Sequence, residues 1–375
     1  MKKQKTWIEV NRSNLIHNVR TLKAISGDRI FCPAVKANAY GNGLIETAPH
    51  ILSGGADFLA TDSLFEAGKL KESGIKAPIY IMGYVLKDEL LEACESGFRF
   101  VVYNMETVEE LGRIVKPVNI HLKIETGNNR QGISIKDLSM FAELLKKFPF
   151  INVEGVATHF ADIEDTTDHS YAEFQFKNFD NAIKILEKHG IKPKYKHCSN
   201  TAALILFPHT HFNFVRTGIG VYGMWPSNET YVSAVKVGKS NIELRPTMTW
   251  KTIIAQVKNL GVGEYVGYGR TYKTTHETRL AILPVGYYDG YDRHLSNNAF
   301  VLIHGKRAPI RGRVCMNMIM ADVTHIPEAK IEDEVVLLGG QGDEEVSAEL
   351  MAGWIGTINY EVTTRINERI PRVIV

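Results

Sequence analysis

Lys36 stands in the run Ala34-Val35-Lys36-Ala37-Asn38-Ala39-Tyr40-Gly41-Asn42-Gly43. A lysine flanked by apolar residues has a depressed pKa when desolvated, and it can then form a Schiff base or abstract a proton. A surface lysine ending a strand is the commoner meaning of such a residue. Here, however, a tyrosine follows four positions on, and small residues let backbone approach a ligand closely.

Further polar residues recur where apolar, β-like runs end. Lys123 and Arg130 lie in His121-Leu-Lys-Ile-Glu-Thr-Gly-Asn-Asn-Arg130, and His159 lies in Gly155-Val-Ala-Thr-His159-Phe. Asn200 and Thr201 follow in His197-Cys-Ser-Asn-Thr-Ala, then Arg216, Gly218 and Ile219 in Phe214-Val-Arg-Thr-Gly-Ile. Any one of these alone is more often structural; their repetition at strand ends points to one site. The set suits an aldehyde cofactor that bears a phosphate. Pyridoxal phosphate (PLP) needs a lysine for its aldehyde, neutral donors for its phosphate and a partner for its ring nitrogen. Thr201, backbone amides near Gly218-Ile219, and Tyr40 are suitable phosphate donors. An arginine at the ring nitrogen would leave that nitrogen unprotonated, because a guanidinium is not deprotonated in practice. The cofactor would then be a weaker electron sink, and proton transfer by placed bases would matter more. Inverting an α-carbon needs one such base on each face. Lys36 serves one. The other is offered by Tyr268, in Gly263-Glu-Tyr-Val-Gly-Tyr268-Gly-Arg-Thr-Tyr272. A phenol ionises near 10, so it needs a cationic neighbour to act near neutral pH. A packed hairpin tyrosine is the competing meaning.

The elements that position these residues follow a rhythm. β-like runs at 31–36, 58–61, 79–82, 100–103, 120–124, 153–158, 195–199 and 214–217 alternate with amphipathic helical segments. The helical segments include 13–25, capped by Ser13, and 63–72, 87–96, 107–115, 135–147 and 171–189. Eight strands spaced roughly 26 residues apart fit a (β/α)8 (TIM) barrel, whose chemistry collects at the C-terminal ends of the strands. A doubly wound open sheet is the rival layout. It more usually carries a glycine-rich phosphate turn after its first strand, which residues 36–43 do not match. Beyond residue 240 short β-rich segments dominate, at 248–257, 279–285, 300–303, 308–314, 319–323 and 334–338, with one helix at 347–355. The expected division is a barrel domain over 1–240 and a mostly-β domain over 241–375, with residues 6–10 able to pair with the latter.

Composition narrows the partners. A formal net charge of +2 and the lack of a basic cluster interleaved with aromatics give no reason to invoke nucleic acid or a membrane surface. Four scattered cysteines suggest neither a disulfide framework nor a metal site. No apolar stretch approaches the length of about 18 residues that spans a bilayer. Trp7-Ile8-Glu9-Val10-Asn11 stands where a signal peptide needs an apolar core. The expected setting is cytoplasmic, and no metal is expected.

The run around Lys36, with the other motifs above, resembles the alanine racemases over nearly the whole chain. That resemblance implies a PLP-dependent homodimer of a barrel and a β-domain, each active site completed by the partner's β-domain. It implies a two-base interconversion of L- and D-alanine that supplies D-alanine for peptidoglycan. Lys36 resembles the Schiff-base lysine and first base, and Tyr268 the opposing base supplied in trans. His159 and Arg216 resemble the network tuning that base, and Arg216 also the ring-nitrogen arginine. Tyr40, Asn200, Thr201, Gly218, Ile219 and Tyr360 (in Gly356-Thr-Ile-Asn-Tyr360-Glu-Val) resemble the cofactor shell. Arg130 resembles the arginine that meets the cofactor's phenolic oxygen and the substrate carboxylate. Lys123 resembles the lysine often carbamylated to hold it. Met316, in Gly312-Arg-Val-Cys-Met316-Asn, resembles a partner residue at the substrate carboxylate, and Tyr287 a gate on the substrate path. Asn42 and Asn317 depart from the family's usual His and Asp. A broad-specificity amino-acid racemase and a fold-type III PLP decarboxylase are the rival activities.

Overall fold

Short apolar runs, buried on both faces as parallel strands require, build the larger of two compact units. The computed structural model describes residues 4–375. This unit comprises Ser13–Ala39 and Thr47–Arg245. Its strands are β1 (Ile30–Pro33), β2 (Leu59–Thr61), β3 (Ile79–Ile81), β4 (Arg99–Val102), β5 (Val118–Lys123), β6 (Ile151–Ala157), β7 (Tyr195–His197) and β8 (Phe214–Thr217). Strands β2 to β7 form one parallel sheet in chain order, and β8 pairs in parallel with β1. Two seams complete the ring. At one, Ala34 bridges Ala60, and the Val35 amide donates to Ala60 O at 2.8 Å. At the other, the Asn213 side chain does what a ladder would do. Its Oδ1 accepts from Lys196 N at 2.9 Å, and its Nδ2 donates to Lys194 O at 2.6 Å. The result is a (β/α)8 barrel.

Helices follow most strands. Ser63 caps Leu64–Glu72, its Oγ accepting from Glu66 N at 3.2 Å, and the longest helix is Ser170–Lys188. The sequence reading passes over Leu44–Ser53, Thr201–Leu206 and Asn228–Lys236. Pro49 argues locally against the first. The last is fixed by Ser227, whose Oγ accepts from Thr230 N at 2.9 Å.

The second unit comprises the chain up to Arg12, Tyr40–Glu46 and Pro246–Val375. A single cut at 240/241 therefore does not describe the division. The N-terminal strand Thr6–Val10 lies between Met248–Ile253, antiparallel, and Arg372–Ile374, parallel. Both Thr6–Val10 and Met248–Ile253 alternate buried and half-buried residues, as strands with one covered face do. Trp250 Nε1 donates to Thr6 Oγ1 at 3.1 Å across this pairing. The same sheet continues through Glu334–Gln341, Phe300–Ile303 and Lys306–Pro309. A second sheet is ordered Gln256–Leu260, Thr278–Leu283, Ile319–Asp322. Two helices close the unit rather than one. Ala348–Ile355 is followed by Asn359–Thr364, whose β-branched Val362, Thr363 and Thr364 hide it from a propensity reading. Among the described residues no helix is long and apolar enough to cross a membrane.

Candidate active site

Lys36 does not end a strand. Strand β1 stops at Pro33, and Lys36 opens a turn in which Ala37, Asn38, Ala39 and Tyr40 have φ between 52° and 54°. This is a left-handed helical turn, which costs L-residues about 1–2 kcal/mol each, so something outside it must hold it. Glu66 does so from the barrel side. Its Oε1 accepts from Ala37 N at 2.7 Å and its Oε2 from Asp62 N at 2.9 Å, tying the turn to the end of β2. The Ala39 amide also donates to Val35 O at 2.8 Å. Within the second unit, a Cβ on Gly41 would stand 2.1 Å from Thr363 O, so only glycine fits there. Buried Asn42 donates to Tyr40 O at 3.3 Å and accepts from Thr247 Oγ1 at 2.7 Å. Asn42 is thus part of the scaffold of this turn. Lys36 Nζ is half-exposed and 3.9 Å from Asp62 Oδ1.

The rim near Lys36 is rich in positive charge. Lys123 ends β5 and is 8% exposed, yet its Nζ has no hydrogen bond or ion pair among the described residues. Burial, then the charges of Arg216 and Arg130, hold its ammonium pKa well below the ordinary value. His159 lies two residues past β6, and its buried Nδ1 has no partner among the described residues. Burial and the cations Lys123, Arg216, Arg130 and Lys36 push its pKa well down. Arg130 itself is exposed in a loop and forms no ion pair among the described residues. Arg216, the third residue of β8, is fixed at two donors. Its Nε donates to His197 Nδ1 at 2.9 Å and its Nη2 to Thr158 O at 2.8 Å. Thr201 Oγ1 accepts from Gly218 N at 3.0 Å, which leaves the hydroxyl proton free to donate. Ile219 opens a buried 3-10 turn beside it. Asn200 is committed elsewhere: its Oδ1 caps Ala203 N and its Nδ2 donates to Glu164.

The remaining candidates lie in the second unit. The Tyr40 and Tyr360 rings are 6.1 Å apart. Tyr268 is 71% exposed in a turn that needs glycine on both sides, Gly267 at φ 73° and Gly269 at φ 70°. The Arg313 guanidinium packs on Gly269, so a cation accompanies the phenol's turn. Tyr287 and Met316 are brought together by backbone: Tyr287 N donates to Cys315 O and Tyr288 N to Met316 O, both at 3.0 Å. Sequence reasoning missed Glu66, Asp62 and His197 as contributors. His197 sat in a quoted motif, two positions before Ser199 on a β-like run, and that alternation was the available signal.

Fold and site together define a barrel enzyme with a lysine-centred, cationic rim and a β-rich second unit. Comparison with known proteins narrows the class. Residues 10–226 match the model for the alanine racemase N-terminal domain, and 247–374 that for the C-terminal domain. An alanine racemase of Desulforamulus reducens is 39% identical, covering 99% of each chain. One from Carboxydothermus hydrogenoformans is 40% identical over 98% of this chain and 99% of its own. The crystal structure of a Bacillus anthracis alanine racemase with bound L-Ala-P superposes at a TM-score of 0.93. It is 34% identical, covering all of this chain and 96% of that one. The chain belongs to the alanine racemase family, and it is an isomerase.

Proposed function

We propose that the protein interconverts L- and D-alanine with PLP held at the barrel rim, as a homodimer with shared active sites. One observation carries this reading: Lys36, Lys123, His159 and Arg216 gather at one rim, where burial and the neighbouring cations outweigh Glu125 in setting the Lys123 ammonium pKa. An anionic group bearing polar atoms fits there, because it supplies negative charge among these cations and a partner for the His159 Nδ1, which has none among the described residues. When bound, PLP would supply an aldehyde that joins the amino acid and acidifies its α-carbon. Lys36 would hold the group through its amine, and its Nζ would take or return the α-proton on one face. The Tyr268 phenol of a second copy would take or return that proton on the other face. Arg216, fixed at Nε and Nη2, would serve the ring nitrogen as a permanent donor and so leave it unprotonated.

The Thr201 hydroxyl and the Gly218–Ile219 backbone would hold the phosphate, and Asn200 secures the helix that carries Thr201. Arg130 and, from a second copy, Met316 would orient the substrate carboxylate, and Tyr287 of that copy would line its path. Lys123 is suited to carbamylation. Burial favours its neutral, nucleophilic amine, and addition of carbon dioxide with loss of one proton would convert that neutral amine into a carbamate anion. That anion would pair with Arg130 and Arg216. A chiral assay of the purified protein with PLP tests the proposal. L-alanine should reach an equimolar mixture with D-alanine, while other amino acids react far more slowly. Equal rates across amino acids, or release of carbon dioxide, would move the reading to a broad racemase or a decarboxylase.

A further inference from the structure

Behind Arg216 a chain of polar side chains runs through the interior of the barrel. Arg216 Nε donates to His197 Nδ1 at 2.9 Å, and His197 Nε2 is 2.8 Å from His121 Nδ1. His121 Nε2 faces Glu154 Oε2 at 3.6 Å, longer than a hydrogen bond, and Glu154 accepts from Arg99 Nε at 3.1 Å. Both histidines are fully buried, and the barrel is built around the inner one. Tyr80 stacks on His121 with centroids 4.5 Å apart, and β5 shifts register between Ile120 and His121. A Cβ on Gly155 would lie 2.6 Å from the His121 ring, so glycine makes the room.

Donor counting allows one proton arrangement. Arginine only donates, so His197 Nδ1 must be the acceptor and its proton sits on Nε2. That proton points at His121 Nδ1, which must also accept, so the His121 proton sits on Nε2 and faces the Glu154 carboxylate. Both rings are neutral, in keeping with burial, which lowers both pKa values. We propose that His121 and Glu154 are positioning residues for Arg216: acting through His197, they hold a single tautomer chain that fixes the guanidinium plane at the rim. The consequence for catalysis rests on the reading that Arg216 faces the cofactor ring. The proton chain itself does not.

The test uses the full-length protein with PLP. Nitrogen-15 spectra of the histidines should show His121 and His197 as neutral Nε2–H tautomers. An Nδ1–H tautomer or an imidazolium at either would overturn the chain. H121F keeps an aromatic ring against Tyr80 but removes the acceptor, and H121Q keeps an acceptor but loses the ring. H121F should lower kcat about tenfold with KM for alanine little changed, and H121Q should restore most of that loss. If H121F outperforms H121Q, His121 serves packing and the proposal fails. The wild-type spectrum needs no variant, so a misfolded H121F leaves the proposal open to refutation. Intact tautomers in a protein that does not racemise alanine would sink the functional reading alone.

Discussion

The proposed reaction uses both Arg216 and Tyr268, yet the structure surrounds them in opposite ways. Arg216 is 7% exposed, with two donors committed and a relay of histidines behind it. Tyr268 is 71% exposed, and its hydroxyl has no hydrogen bond among the described residues. Tyr287 and Met316, also in the β-rich unit, are likewise exposed. The barrel rim is preorganised within one chain, so its groups meet a ligand with little left to reorganise. The exposed set leaves apolar area and a phenol in solvent, and the proposed homodimer would cover both.

The largest expected effect separates the two sets directly. Lys36→Ala should lower racemisation at least about 10³-fold, and Tyr268→Phe about 10²–10³-fold. Mixed and refolded together, the two inactive chains should regain activity, because one site of each heterodimer has both bases. A mixture as inactive as its parts would remove the shared site. Borohydride should fix the cofactor to wild-type protein and not to Lys36→Ala.

Next in size is Lys123. If carbamylation supplies the missing anion, activity should fall several-fold in bicarbonate-free buffer and return when bicarbonate is added. Lys123→Met should lie about tenfold below wild type and ignore bicarbonate. A wild-type enzyme indifferent to bicarbonate would leave Lys123 a bare buried lysine.

A smaller effect comes from the barrel's histidines. His159 and His197 have folded pKa values well below the ordinary one, so the unfolded chain binds more protons below about pH 6.5. Stability should therefore be full above that pH and decline as pH falls below it. Thermal melts from pH 7.5 to 5 would read this, and His197→Gln should flatten the slope. The smallest is Glu66→Gln, which weakens a charge-assisted clamp on the left-handed turn and should cost about 1–2 kcal/mol in denaturant melts.

How much of this was legible depends on how local the cause is. The eight barrel strands were readable because parallel strands buried on both faces produce uninterrupted apolar runs, as at Leu59–Thr61 and Ile79–Ile81. The rim residues were readable because they end those runs. The turn at 37–40 was not, since Ala, Asn, Ala and Tyr have no local reason to be left-handed. The clamp is Glu66, 29 residues from Ala37.

Residue types and spacing alone pointed to the barrel, the β-rich second half and a group of candidate residues at the ends of apolar runs. Only the tertiary structure decided the conformation that presents Lys36, the pairing of Thr6 with Thr252, the scaffolding role of Asn42 and the proton arrangement behind Arg216. Periodic burial is written along the chain. Hydrogen-bond donors and acceptors find each other across it, and their partners exist only once the chain has folded.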